Sequence, residues 1–247
     1  MASDGTKLLS GKAALITGGS RGIGRAIAAA YAQAGAEVFI CGRDENAVAA
    51  ALREIAETGG TIDGAAGDVG NAEDARRLVR AAAARFGKVD VLVNNASILG
   101  PRQELVDYPI GAWEDVLRIN LTGIFLMTRE VLPGMIARRA GSIINVTSGV
   151  GRRGKARWGA YAVSKAGLEG FTQVLADEVS DAGVRVNSVN PAATRTRMRA
   201  AAYPAEDPLT LPTPEQVAPL FLYLASDASA DVTGQSLEAR DWLGRDI

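Results

Sequence analysis

Tyr161 and Lys165 stand four residues apart in the segment Tyr161-Ala162-Val163-Ser164-Lys165, a spacing that puts a phenol and an ammonium on one face of a helix. Held close, the cation would stabilise the phenolate. Moving a tyrosine pKa from about 10 to about 7 takes roughly 4 kcal/mol, and one positive charge about 4 Å away at an effective dielectric of about 20 supplies about that much. The pair is therefore a candidate proton donor or acceptor at neutral pH. What it acts on is indicated by Leu15-Ile16-Thr17-Gly18-Gly19-Ser20-Arg21-Gly22-Ile23-Gly24, an apolar run followed by a glycine-rich turn and the start of a helical pattern. Glycines in that place let the backbone come close to a pyrophosphate, whose charge then faces the helix N-terminus. The turn reads as a dinucleotide-binding loop.

The elements that must position these residues are legible as an alternation. Short apolar runs predict strands at Ala13 to Thr17, Glu37 to Cys41, Thr61 to Ala66, Val89 to Asn94, Ser142 to Thr147, Val184 to Asn190 and Gln235 to Ala239. Amphipathic, alanine-rich stretches predict helices at Ile23 to Gln33, Glu45 to Glu57, Ala72 to Arg85, Ile110 to Arg138, Tyr161 to Asp181 and Pro214 to Ala225. Repeated βα units of this kind build an α/β fold, a Rossmann-like doubly wound parallel sheet of about seven strands with helices on both faces. No linker divides the pattern, so residues 1–247 are expected to form one domain. Pro133-Gly134 should kink the fourth helix or end it early. Residues 192–212, rich in proline and poor in periodicity, suggest either a mobile segment over a site or a simple surface excursion.

Composition removes several function classes. The 247 residues are 47% hydrophobic and carry 27 basic against 28 acidic side chains, a net charge of -1. That balance creates no global field for nucleic acid or an anionic membrane, and the expected partners are small molecules. The chain contains no histidine, which excludes the Ser-His-Asp triad, Cys-His nucleophilic pairs and every histidine-containing zinc site; no metal is expected. The lone Cys41 lies in the apolar run Val38-Phe39-Ile40-Cys41 and reads as a buried strand thiol, which suits a reducing compartment. The N-terminal residues lack the apolar core of a signal peptide, and no later stretch is long and apolar enough to span a bilayer, so a cytoplasmic location is expected.

The spacing Gly18-x-x-x-Gly22-x-Gly24 together with Tyr161-x-x-x-Lys165 resembles the short-chain dehydrogenase/reductase family, and the resemblance covers nearly the whole chain. Its other marks occur in order: Asp68-Val69 after the third strand, Asn94-Asn95-Ala96 ending the fourth, Asn120 in the next helix, Ser148 after the fifth strand and Asn190-Pro191 after the sixth. The resemblance implies a hydride moving between nicotinamide and a ketone or secondary alcohol. Tyr161 would transfer the proton, Ser148 would hydrogen-bond the substrate oxygen, Lys165 would also hold the nicotinamide ribose, and Asn120 would support a water linking Lys165 to solvent. It further implies cofactor contacts from the loop residues Gly18, Ser20, Arg21, Gly22, Ile23 and Gly24, from Asp68 to the adenine amino group with Val69 beside it, from Asn94 and Ala96 along the ribose, and from Pro191 and Thr196 near the carboxamide. Side-chain amides also brace turns at strand ends, a bland reading open to both Asn94 and Asn95. The family usually has glycine after Pro191, where this chain has Ala192, whose methyl could crowd the nicotinamide.

Cofactor choice turns on charge at the end of the second strand. A carboxylate there accepts from the NAD ribose, whereas the NADP 2'-phosphate calls for cations. Here the position falls near Gly42, with Arg43 next and Arg21 across the glycine loop, which favours NADP(H) and leaves NAD(H) open if Asp44 turns inward instead. The reading is an NADP-dependent carbonyl reductase, with 3-oxoacyl reduction one candidate. An NAD-dependent polyol or sugar-acid dehydrogenase and a non-catalytic nucleotide sensor are the alternatives. The basic stretch Arg152-Arg153-Gly154-Lys155-Ala156-Arg157 before Trp158 is either a site for an anionic substrate or a solvated loop. The family implies a homodimer or homotetramer, with Phe125, Met127, Leu168 and Phe171 as candidate contacts that could equally face the core.

Overall fold

The computed structural model of the chain describes residues 7–245. Seven parallel strands form one sheet in the order β3-β2-β1-β4-β5-β6-β7: β1 Ala13–Thr17, β2 Glu37–Gly42, β3 Thr61–Ala66, β4 Val91–Asn94, β5 Gly141–Val146, β6 Val184–Asn190 and β7 Ser236–Glu238. Strands β1, β3 and β6 have the boundaries read from the sequence; the others shift by one or two residues at their ends. The order reverses between β1 and β4, and the crevice at the carboxyl ends of such a switch is where open α/β sheets bind ligands.

Period-2 alternation divides the core. Ala14, Ile16, Val38 and Ile40 face one side of the sheet, against helices α1 (Gly22–Gln33), α2 (Glu45–Ala56) and the C-terminal Pro214–Ala225. Leu15, Phe39, Cys41 and Leu92 face the other, against α3 (Ala72–Phe86), the helical segment after β4 and the long helix that carries Tyr161. Cys41 is fully buried, and burial pushes its thiol up to about 12.

The helix expected over Ile110 to Arg138 is one continuous helical run in three pieces: α4 (Ile110–Leu117), a π-helical turn at Arg118–Thr122, and α5 (Gly123–Arg138). Pro133 does not end it. The turns on either side bury Val131 and Met135, and this packing outweighs the one backbone hydrogen bond that proline removes. The break comes instead at Arg139, in the left-handed region at φ 51°, while the irregularity upstream is the π turn, which holds Asn120. Helices α6 (Gly149–Arg152) and α7 (Gly159–Glu178) follow β5. Met127 and Leu168 prove fully buried in the core, whereas Phe125 is 46% exposed.

Residues 192–212 are not a featureless loop. They contain α8 (Arg197–Ala202) and a 3-10 turn at Pro208–Thr210, held by Arg199 donating through Nε and Nη2 to the two Glu206 carboxylate oxygens, each at 2.6 Å. The last helix, α9, is Pro214–Ala225. No helix among the described residues is long and apolar enough to cross a membrane.

Candidate active site

The switch point opens into a cleft of about 1200 Å³. Its floor begins with the turn between β1 and α1. Arg21, at the N-cap of α1, provides no side-chain cap, whereas Asp44 and Asn71 cap α2 and α3 through their carboxylate and amide oxygens. The first-turn amides of α1 are thus left for a ligand, and Gly18, Ser20, Arg21, Gly22 and Ile23 line the cleft beside them. Gly22 adopts φ +55°, and a Cβ there would meet only Thr196 Cγ2, at 3.7 Å. Backbone open on that side, beside an uncapped helix N-terminus, fits a pyrophosphate. Gly24 serves packing instead, because a Cβ there would strike the Gly18 carbonyl and the Asn95 amide. It lets α1 approach the loop and does not line the cleft.

The asparagine pair at the end of β4 divides likewise. Asn94 is 1% exposed and points away from the cleft, its amide donating to Asn145 Oδ1 at 2.9 Å and Thr128 Oγ1 at 3.2 Å. Asn95 is a brace as well, yet it lines the cleft. It donates to the Thr17 and Gly18 carbonyls at 2.9 and 3.2 Å and so holds the glycine turn closed. Thr17 Oγ1 accepts from Asn95 N and Ala96 N, which locks β1 to β4 at the mouth of the cleft. Both asparagines therefore brace the end of β4, Asn94 toward β5 and α5 and Asn95 toward the glycine turn.

At the end of the cleft beside β2, Arg21 Nη2 lies 3.0 Å from Asp44 Oδ2, both half exposed. Asp44 Oδ1 accepts from Ala47 N at 3.0 Å. The cap bond, and then Arg21, hold the Asp44 carboxyl below its usual range. Arg43 lines the same end of the cleft. Asp68 accepts from Arg118 at 2.8 Å and from Gly70 N at 2.9 Å. Burial raises its carboxyl, but these bonds and the Arg118 and Arg43 charges outweigh it and bring it below the usual value. Val69, beside it, also lines the cleft.

Opposite the glycine turn stand Ser148, Tyr161 and Lys165, all lining the cleft. Ser148 follows β5 at the N-cap of α6. Tyr161 and Lys165 occupy successive turns of α7, 8% and 2% exposed. The expected depression of the phenol pKa is not found. Lys165 Nζ donates to the Val146 carbonyl at 2.7 Å and lies 5.6 Å from the Tyr161 ring centroid, so the cation is turned to the backbone while burial dominates the phenol. Burial pushes Tyr161 up to about 12, against the pull of the Ser148 and Ser97 hydroxyls beside it. Burial also brings Lys165 down to about 8, partly opposed by Glu169 one turn further along α7.

Asn120 is fully buried in the π turn. Its side chain is occupied: Oδ1 accepts from Ile98 N at 2.8 Å, and Nδ2 donates to Ile98 O at 2.9 Å and Ser164 Oγ at 3.2 Å. It staples the loop after β4 to α7, and any water would have to be held by something other than this amide. Thr196 lines the cleft with its hydroxyl capping α8 through Arg199 N. Pro191 also lines it, and Ala192 takes φ +58°, a conformation that glycine adopts without strain, with its side chain exposed.

Two of the four cations of the basic stretch, Arg152 and Lys155, are engaged by the protein itself. Arg152 pairs with Glu238 at 2.5 Å and Glu169 at 3.4 Å, tying the segment after Ser148 to β7 and to the helix of Lys165. Lys155 reaches Tyr203 Oη at 3.1 Å, and Arg102 lies 4.4 Å from the Trp158 ring and 5.2 Å from that of Tyr203. These contacts clasp α8 over the cleft. Sequence reasoning misses Arg102 and Tyr203 because a clasp built from separate loops leaves no spacing signal.

The arrangement is similar to known proteins. Residues 12–207 match the sequence profile of the short chain dehydrogenase family. The uncharacterized oxidoreductase YciK of Escherichia coli (strain K12) is 39% identical over 240 residues, 94% of this chain and 93% of that protein. The 3-oxoacyl-(acyl-carrier-protein) reductase FabG of Vibrio cholerae is 39% identical over 237 residues, 93% of this chain and 96% of that protein. Among solved structures, a short chain dehydrogenase from Escherichia coli CFT073 complexed with NADPH aligns with a TM-score of 0.91 at 39% identity, covering 95% of this chain and 99% of that one.

Proposed function

The chain belongs to the short-chain dehydrogenase family, and on that footing we propose that it is an NADP-dependent carbonyl reductase in which Tyr161 is the general acid. The observation that carries this reading is the cleft itself: an uncapped helix N-terminus and an open Gly22 on one side, and a hydroxyl pair, Ser148 and Tyr161, on the other. NADPH, when bound there, supplies the hydride. Its pyrophosphate takes the α1 amides, and its 2'-phosphate takes Arg43 and, more weakly, Arg21, whose guanidinium already serves Asp44. Asp44 is engaged as a helix cap and ion-pair partner, which leaves it a poor acceptor for the NAD ribose. The NADPH complex of the similar Escherichia coli structure supports the same preference.

Ser148 donates to the substrate carbonyl oxygen and orients it. Tyr161, with a pKa of about 12, keeps its proton at neutral pH and is a competent donor to an alkoxide, which is a far stronger base than a phenolate. Lys165, at about 8, remains mostly charged at pH 7, its ammonium held on the Val146 carbonyl 5.6 Å from the Tyr161 ring centroid. Asn120 fixes the Ile98 backbone that forms the substrate wall. The 3-oxoacyl class is a candidate substrate on the strength of the FabG relative. The exposed apolar side chains of α5 and α7, Phe125, Val163 and Val174, support a homodimer or homotetramer through these helices, and a lone buried thiol is in keeping with the cytoplasm.

Fluorescence titration with NADPH and NADH tests the cofactor assignment. Wild type binds NADPH at least about tenfold tighter, the margin of roughly one charge-assisted phosphate contact, and Arg43→Ala removes most of that margin while changing NADH affinity little. Equal affinity for the two nucleotides in wild type contradicts it.

A further inference from the structure

Behind Lys165 four elements converge on a charged cluster outside the cleft. Glu169 follows Lys165 by one turn of α7, its side chain 12% exposed. Its Oε2 accepts from the Ser188 and Ser236 hydroxyls, each at 2.8 Å, and its Oε1 accepts from Arg152 Nε at 3.4 Å. Arg152, the last residue of α6, is shared with β7: Nη1 donates to Glu238 Oε1 at 2.5 Å and Nη2 to Ser236 Oγ at 2.6 Å. Glu238 also accepts from Asn190 Nδ2 at 3.0 Å, with the exposed Arg240 at 3.6 Å. Helix α6 lies tight on this part of α7, since a Cβ on Gly151, next to Arg152, would stand 2.7 Å from the Lys165 carbonyl carbon.

Arg152 thus has two carboxylates to satisfy, and its contact with Glu169 is the longer one. Glu169 keeps part of its charge uncompensated one turn from the Lys165 ammonium, within the range of an i, i+4 pair. The other groups brought toward Lys165 are neutral at pH 7: Tyr161 on its own helix, the Val146 carbonyl and the Ser148 hydroxyl at the end of β5, Ser97 after β4, and Asn120 in the π turn behind Ser164. We propose that Glu169 and Arg152 are positioning residues that act on the reaction through Lys165: Glu169 is the counter-charge that keeps the buried ammonium protonated, and Arg152, drawing on the same carboxylate, limits that support. The role in the reaction rests on the carbonyl-reductase reading, whereas the effect on the Lys165 charge stands apart from it. The two residues pull in opposite directions, which separates this role from simple bracing. Loosened packing would hydrate the ammonium and raise its pKa whichever residue was removed.

The test is a pH titration of the full chain, labelled with 13C at lysine Cε and followed by NMR from about pH 6 to about pH 10.5 with no nucleotide added. Lys165 is told from Lys7, Lys12, Lys88 and Lys155 by its absence from the spectrum of Lys165→Met. The wild-type midpoint is expected at about 8. Glu169→Gln, which keeps the contacts with the serine hydroxyls, should lower it by about one unit, the scale of one charge a helical turn away in partly solvated surroundings. Arg152→Gln, which keeps a donor for Glu238, should raise it by about half a unit, and Arg152→Lys, which keeps the charge, should stay within about 0.3 units of wild type. Glu169→Leu and Arg152→Met, with the same signs expected, serve should either glutamine variant fail to fold. Shifts of one sign in both variants, or a shift below about 0.2 units in either, overturn the inference. The alkaline limb of single-turnover NADPH consumption should move with the NMR midpoint in each protein; a limb that stays fixed while the midpoints move overturns the role in the reaction. Midpoints that move as expected in a protein that reduces no carbonyl overturn the reductase reading and leave the charge balance standing.

Discussion

Lys165 carries a charge in a place that disfavours it, and replacing it should make the protein more stable. Burial brings its ammonium from 10.5 to about 8, with Glu169 opposing. At about 1.4 kcal/mol per pH unit, that gap means the charged lysine costs the fold about 3 kcal/mol at pH 7. Lys165→Met removes the charge and keeps the apolar stem. It also strands the Val146 carbonyl, which now accepts from Nζ at 2.7 Å, a loss of about 1 kcal/mol. The variant should therefore gain about 2 kcal/mol at pH 7, measured by urea unfolding at fixed protein concentration with no nucleotide added. The pH dependence is the sharper part. Between about 8 and 10.5 the unfolded chain holds the Lys165 proton and the folded chain has released it, so wild-type stability rises with pH through that window and the variant's advantage disappears. Tyr161 and Cys41, both raised to about 12, contribute stability that is present below their unfolded values near 10 and 9 and is lost as pH climbs toward 12. Both proteins share that loss, so it cancels in the difference. A variant less stable than wild type at pH 7, or a difference flat from pH 7 to 10.5, refutes the reasoning.

Two further outcomes follow from the geometry of the glycine turn and of the segment after β6. Asn95→Ala removes both donors that hold the turn, and should cost about 2 kcal/mol in urea unfolding and weaken NADPH and NADH alike, in contrast to the selective effect of Arg43→Ala. Ala192→Gly relieves a left-handed residue at φ +58°; relief of about 1 kcal/mol offsets the entropy that glycine adds to the unfolded chain, so thermal unfolding should show a midpoint unchanged or slightly raised, whereas Ala192→Val should lower it.

The sheet was legible because its cause is local. Val38-Phe39-Ile40-Cys41 and similar runs can bury both faces only inside a parallel sheet, and the helices between them announce themselves by period. The cleft was legible in its chain-local parts, namely the Gly18 to Gly24 turn and the Tyr161 and Lys165 pair. What escaped depends on long-range placement. The direction of the Lys165 ammonium is set by the Val146 carbonyl on a different element, and no spacing within α7 encodes it. Helix α8, six residues with two arginines, is too short for a period and is held by Glu206 and Tyr203. Pro133 looked like a break because propensity is local, while the packing of Val131 and Met135 that overrides it is tertiary.

The central claim is that Tyr161 delivers the proton that accompanies hydride transfer, and Tyr161→Phe tests it most directly. Stopped-flow absorbance of NADPH consumption with ethyl 3-oxobutanoate, paired with NADPH titration of the same preparations, separates chemistry from binding. Removal of the hydroxyl should lower the single-turnover rate at least about a hundredfold with NADPH affinity changed less than about threefold. A variant that consumes NADPH at the wild-type rate contradicts the account.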